Sequence, residues 1–132
     1  MPYELIDHTG DTGVVVRAPT LEALFAEAAA AMFAILAEVP DPRPSGTDLF
    51  EVRPEDPAEA LHAFLSELLY RFSAERRMYV AFHPRPGAVE ARWEPYDSAR
   101  HALRTEIKAV TYHQLEAVRE NGGWRARVIF DL

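Results

Sequence analysis

Apolar and polar positions along this 132-residue chain repeat with two periods, and each change of period marks an element. Two short extended runs, residues 3–7 and 13–18, flank a polar stretch; β-branched Val14, Val15 and Val16 carry the second run and Pro19 ends it. Leu21, Leu24, Phe25, Ala28, Met32, Ile35 and Leu36 then recur three and four apart, which predicts an amphipathic helix over Leu21–Leu36 with Thr20 as its N-cap. Its alanine-rich back suits close packing on a sheet. Two prolines and a glycine make Asp41–Gly46 a loop.

Thr47–Val52 has the pattern of a strand. Asp56-Pro57-Ala58-Glu59 is a helix start, with a capping aspartate, proline at the first helical position and glutamate at the third. The helix that follows aligns Leu61, Phe64, Leu65, Leu68, Leu69 and Phe72 in one stripe and leaves Tyr70 nearly opposite, between Glu67 and Arg71. Beyond it, Met78–His83 and Ala88–Glu94 predict a hairpin around Pro84–Gly87, with Val89, Ala91 and Trp93 on one face and Glu90, Arg92 and Glu94 on the other. Residues 95–103 form a connection. Thr105–Val118 reads as one long strand that turns at Asn121-Gly122-Gly123 into a terminal strand, Trp124–Leu132. These elements predict an α+β fold: a single domain over residues 1–132, with antiparallel β-sheets and two amphipathic helices on one sheet system.

Charge and composition narrow the function classes. Twenty-one acidic against fourteen basic residues give −7, which repels a phosphate backbone at long range and favours a protein or metal partner. Local basic clusters remain at Arg71, Arg76 and Arg77 and at Arg125 and Arg127. There is no cysteine, so disulfides and thiolate metal sites are excluded, and a cytoplasmic address is the default. No secretory signal pattern opens the chain, and no apolar run is long and charge-free enough to cross a bilayer. Thirteen of the fourteen basic residues are arginine, which singles out the lone lysine, Lys108.

The densest chemistry lies in Asp7-His8-Thr9-Gly10-Asp11-Thr12-Gly13. Asp7, His8 and Asp11 could bind a hard divalent cation, but aspartate, threonine and glycine are also ordinary turn residues, and spacing alone favours the turn. Neither a Gly-x-Ser-x-Gly elbow nor a phosphate-binding glycine loop is present, and the five histidines show no zinc-site spacing. In the terminal hairpin, a two-residue turn at Asn121-Gly122 pairs Glu120 with Gly123 and sets Asp131 across from Tyr112. Lys108, Tyr112 and Asp131 then share one face, opposite Ile107, Ala109, His113, Val128 and Phe130. Hairpin geometry alone favours a weak surface ion pair between Lys108 and Asp131 over a functional site on that face. The α-carboxylate of Leu132, one residue further, could add an oxygen ligand.

Four motifs in order resemble one family. Asp7–Gly13 is similar to the Asp-His-Thr-Ala-Asp-Val-Gly signature of the archeases, and Glu106-Ile107-Lys108-Ala109-Val110-Thr111-Tyr112-His113 to their second signature. Ser66-Glu67-Leu68-Leu69-Tyr70 resembles the family's Asn-Glu-Leu-Leu-Tyr, and Arg127–Leu132 its closing strand. Departures are Gly10 for alanine, Thr12 for valine and Phe64 where tryptophan is common. The resemblance implies an accessory protein, not itself an enzyme, for the RtcB-type RNA ligase of tRNA splicing and RNA repair. That ligase joins 2′,3′-cyclic phosphate or 3′-phosphate ends to 5′-hydroxyl ends with GTP and a divalent metal. The accessory promotes guanylylation and multiple turnover, and it meets RNA only indirectly. Carried onto this chain, the family pattern makes Asp11, Asp131 and the carboxylate of Leu132 metal ligands, with calcium as the expected bound ion and manganese or magnesium as working alternatives. It makes Lys108 the functional lysine and gives Asp7 and His8 a lower rank. Two rival readings are a stand-alone metal-dependent phosphohydrolase and a chaperone-like binding module that uses Tyr70.

Overall fold

The valine run sits at the centre of the larger sheet because alternate residues can be buried there on both faces: Val14 and Val16 are fully buried and Val15 nearly so. The computed structural model describes residues 3–8 and 10–132; Thr9 and the side chains of Asp7 and His8 lie outside that description. β1 (Tyr3–His8) and β2 (Asp11–Ala18) form an antiparallel hairpin in which His8 pairs with Asp11. The polar stretch is therefore less of a turn than its composition suggests. β1 ends at His8 and β2 begins at Asp11, Gly10 before it stands at φ +80°, and Asp11 and Thr12 are strand residues.

α1 (Leu21–Leu36) has the predicted bounds, and the Thr20 hydroxyl accepts the Ala23 N–H at 3.1 Å. The short β3 (Ala37–Glu38) follows, then β4 (Gly46–Glu51) and α2 (Pro57–Glu75), where the Asp56 carboxylate caps the Glu59 N–H. β5 (Arg77–Arg85) and β6 (Ala88–Pro95) make the expected hairpin and join β4 in a three-stranded sheet of order β4-β6-β5. β7 (Ala102–Leu103) pairs with β3, a two-residue ladder too short to leave a sequence signal.

The remaining strands are β8 (Ala109–Val110), β9 (Glu116–Glu120) and β10 (Gly123–Asp131). β10 lies against β2 on one side and against both β8 and β9 on the other. The helices thus do not share one sheet system: α1 packs against β2 and β10 of the five-stranded sheet and against β5 and β6 of the three-stranded one. Phe25, Met32, Leu61, Leu65, Val128 and Phe130 fill the space between. Gly13 is required where β2 meets β10, because a Cβ there would lie 2.6 Å from Ile129 Cδ1 and 2.8 Å from the Val128 carbonyl.

The expected long strand over Thr105–Val118 is broken. Glu120 does pair with Gly123, but the chain leaves the ladder after Glu116, turns through Tyr112–Leu115 with Gln114 at φ +52°, and re-enters at β8 three residues out of step. Thr111 fixes the break: its N–H and hydroxyl both donate to the Ile129 carbonyl, at 3.0 and 2.9 Å. Asp131 consequently faces Ala109 rather than Tyr112.

Candidate metal and partner site

With the break in place, the face expected to hold Lys108, Tyr112 and Asp131 together does not form. Tyr112 stacks on His62 with ring centroids 3.8 Å apart, and its hydroxyl donates to Glu59 at 3.0 Å. The hydrogen bond to Glu59 holds the Tyr112 phenol above its ordinary range. Of the opposite face, Ile107, Val128 and Phe130 are buried, whereas Ala109 and His113 are exposed.

What the structure brings together instead is Asp11 and Asp131. They are direct partners across β2 and β10, so their side chains leave the same face of the sheet with Cβ atoms about 4.5–5.5 Å apart. Thr12, the next residue, points inward and is 8% exposed, with its hydroxyl donating to the Ile6 carbonyl at 3.4 Å. Asp131 is exposed, whereas Oδ1 of Asp11 is buried without a hydrogen-bond partner among the described residues. Two like charges directly opposed are unfavourable, and a buried carboxylate oxygen without a donor adds desolvation cost. A cation between them would offset both.

The backbone draws two further elements to this point. The Lys108 N–H donates to the Asp131 carbonyl at 2.7 Å, and the Leu132 N–H donates to the Gly10 carbonyl at 3.2 Å. Lys108 is therefore anchored beside the pair by its main chain, and its exposed ammonium has no ion-pair partner among the described residues. The surface ion pair with Asp131 allowed by the sequence is not formed. No group of three or more histidine, aspartate or glutamate side chains that could hold a metal occurs among the described residues. The donors present are thus the carboxylate pair of Asp11 and Asp131, with Leu132 and its α-carboxylate the next residue along the chain. An all-oxygen set of this kind fits a hard ion such as calcium, magnesium or manganese.

Most of the cations that could have touched a phosphate chain are already engaged. Asp48 lies 2.8 Å from Arg77 and 3.3 Å from Arg71 and accepts the Tyr79 hydroxyl at 2.6 Å. Burial would raise the Asp48 carboxyl, but these donors hold it below the ordinary range. On the outer sheet face, Arg17 bridges Glu4 and Glu120, and Arg125 bridges Glu120 and Glu116. Arg76 and Arg127 have no ion pair among the described residues.

A second carboxylate centre escaped the pattern. Glu94, placed by alternation on the polar face of its strand, is 1% exposed. It accepts from the Arg43 amide, from Arg100, and from His101 Nε2 at 2.7 Å. The Asp97 N–H donates to His101 Nδ1 at 3.0 Å, which fixes the proton on Nε2. Burial pushes the Glu94 carboxyl up, and the hydrogen bonds from His101, Arg43 and Arg100 outweigh it and hold the group below the usual range. Asp97-x-x-Arg100-His101, an aspartate that starts a turn followed by two donors, was the available signal.

Residues 3–132 match the Archease protein family (MTH1598/TM1083). Protein archease of Methanopyrus kandleri is 36% identical over 140 residues that cover 100% of both chains. Protein archease of Methanosarcina mazei is 35% identical over 98% of this chain and 95% of its own. The solution structure of Methanobacterium thermoautotrophicum protein 1598 superposes with a TM-score of 0.77 at 27% identity, covering 99% of each chain. The crystal structure of an archease, described as a possible chaperone (TM1083), from Thermotoga maritima reaches a TM-score of 0.71 at 18% identity, covering 98% of this chain and 96% of that one, a likeness of fold. The chain belongs to the archease family.

Proposed function

We propose that this protein is a non-catalytic accessory of an RtcB-type GTP-dependent RNA ligase, promoting its guanylylation and turnover in tRNA splicing or RNA repair. One observation carries the reading: Asp11 and Asp131 are set directly opposite each other, with Oδ1 of Asp11 buried and unpartnered among the described residues, one backbone hydrogen bond from Lys108. Asp11 and Asp131 would hold a divalent cation, with the carboxylate of Leu132 as the family's third ligand. When bound, that ion supplies positive charge that favours phosphoryl transfer at the ligase's nucleotide. The chain's own part is positional. β2 and β10 fix the two carboxylates through a continuous ladder, Gly13 lets those strands approach, and Lys108 presents an exposed cation from the neighbouring edge. The −7 charge and the internally paired arginines fit an accessory that acts on the enzyme rather than on RNA.

The test is multiple-turnover ligation of 3′-phosphate RNA by the cognate ligase. The protein at substoichiometric concentration is expected to restore turnover, and Asp11→Ala to reduce that stimulation by roughly two orders of magnitude, the usual effect of disturbing a metal site. Full stimulation by Asp11→Ala would overturn the role of the pair. Metal-dependent phosphate release by the protein alone would favour a stand-alone hydrolase.

A further inference from the structure

A cavity with no role in the metal reading lies outside the carboxylate pair. It measures about 580 Å³ and runs between α2, at Leu69, Phe72 and Ser73, and the segment from Leu103 to Lys108. A second hollow of about 300 Å³ continues it past Lys108 to Ser66 and Tyr70, sharing Leu69 and Ser73. Together they follow α2 from Ser66 to Arg76. Ten residues of helix span about 15 Å, the length of four or five residues of extended chain.

Three properties of this trough point to one kind of occupant. Arg76, Arg104 and Lys108 line it against a single acid, Glu106, so it is cationic on an otherwise acidic protein. Arg104 has only an exposed partner, Glu38, and Arg76 and Lys108 have no ion pair among the described residues. Large apolar side chains stand exposed at its two ends, Leu103 at 56% and Tyr70 at 59%. Along the wall between them, the N–H groups of Thr105, Glu106 and Ile107 donate no backbone hydrogen bond among the described residues. These three residues lead into β8, which among the described residues ends its sheet without a partner beyond it.

We infer that the trough binds an extended acidic segment of the partner protein, alternating carboxylate and aliphatic side chains, that adds to the open edge at Thr105–Ile107. This rests on the ligase reading for the identity of the partner. The segment's carbonyls take the outward-facing, alternate N–H groups of this edge, its carboxylates meet Arg76, Arg104 and Lys108, and its aliphatic groups cover Leu103 and Tyr70. A nucleotide would use the cations but leave the two apolar ends, a trough's length apart, uncovered. The carboxylate pair and the trough meet at Lys108, so the trough supplies affinity while the pair acts at the far end.

Hydrogen–deuterium exchange of the protein alone and with the cognate ligase tests this. The amides of residues 105–107 are expected to exchange fast in the free protein and at least about tenfold slower in the complex. Arg76→Glu and Leu103→Asp should each raise the concentration for half-maximal stimulation roughly tenfold, equivalent to about 1.4 kcal/mol of binding free energy, and leave the plateau unchanged. Normal stimulation with residues 105–107 unprotected would overturn the trough alone, as would a loss of plateau in either variant. Protection of the same amides by a 3′-phosphate RNA oligonucleotide without ligase would assign the trough to RNA instead. Absence of stimulation by the wild-type protein would remove the ligase reading itself, and the trough's occupant with it.

Discussion

Two carboxylate centres in this molecule are built on opposite principles. Glu94 is almost fully enclosed and meets a donor on every side: a main-chain amide, a guanidinium and an imidazole whose own orientation is fixed by the Asp97 N–H. Asp11 and Asp131 face each other instead, with a buried oxygen of Asp11 left unsatisfied. Burial with full satisfaction makes a structural pin, here holding the loop over residues 96–101 to the three-stranded sheet and to the Asp41–Arg43 loop. Burial with an unmet oxygen carries an unfavourable energy that a bound cation would relieve. The two centres therefore differ in what each carboxylate lacks, not in charge.

Breaking the satisfied centre should have the larger effect. Glu94→Ala strands the imidazole N–H, the Arg100 guanidinium and the Arg43 amide around an empty space, and removing one member of a buried pair costs about 3–5 kcal/mol. Equilibrium urea unfolding should show that loss, with ligase stimulation preserved by the fraction still folded. The same centre sets an acid limit. The Glu94 carboxyl lies below its ordinary value of 4.5 when folded, so the unfolded chain binds the proton more readily. Its contribution is complete above that value and falls away as pH drops through the lower folded value. Between about pH 5 and pH 3 the wild type should therefore lose stability more steeply than Glu94→Gln. Parallel slopes would show that Glu94 carries no such linkage.

The contrast also explains what the sequence could disclose. α1 was legible to its end residues, because Thr20, the three-and-four spacing and the alanine back all agree, and so was the Glu120–Gly123 pairing, because Asn121-Gly122 dictates its turn. The break in the expected strand was not legible. Thr111, Tyr112 and His113 favour extended structure, and the left-handed backbone at Gln114 has no glycine to announce it. That break moved Asp131 from Tyr112 to Ala109, yet Asp131 still meets Asp11, since the β2–β10 pairing does not depend on it. Glu94 could not be read as buried, because its donors come from residues 43, 100 and 101, which only the folded chain gathers.

The unsatisfied centre makes the subtler prediction, in which one substitution changes sign with conditions. In the presence of calcium or manganese at a hundred times its dissociation constant, binding to the folded state alone would stabilise the wild type by about 2.7 kcal/mol. Asp11→Asn should remove most of that, visible as a cation-dependent rise in Tm in the wild type that the variant lacks. In excess EDTA the order should reverse. Replacing one charge of a directly opposed pair relieves repulsion worth about 0.2–1 kcal/mol, so the variant should melt slightly higher than the wild type. A neutral amide also loses less on burial than the carboxylate oxygen that now has no donor. Glu94→Gln, by contrast, should be destabilised equally with cation or with chelator, because its partners are all within the chain. If Asp11→Asn were destabilising in EDTA, the Asp11 carboxylate would be satisfied from within the protein, and the two centres would be of one kind.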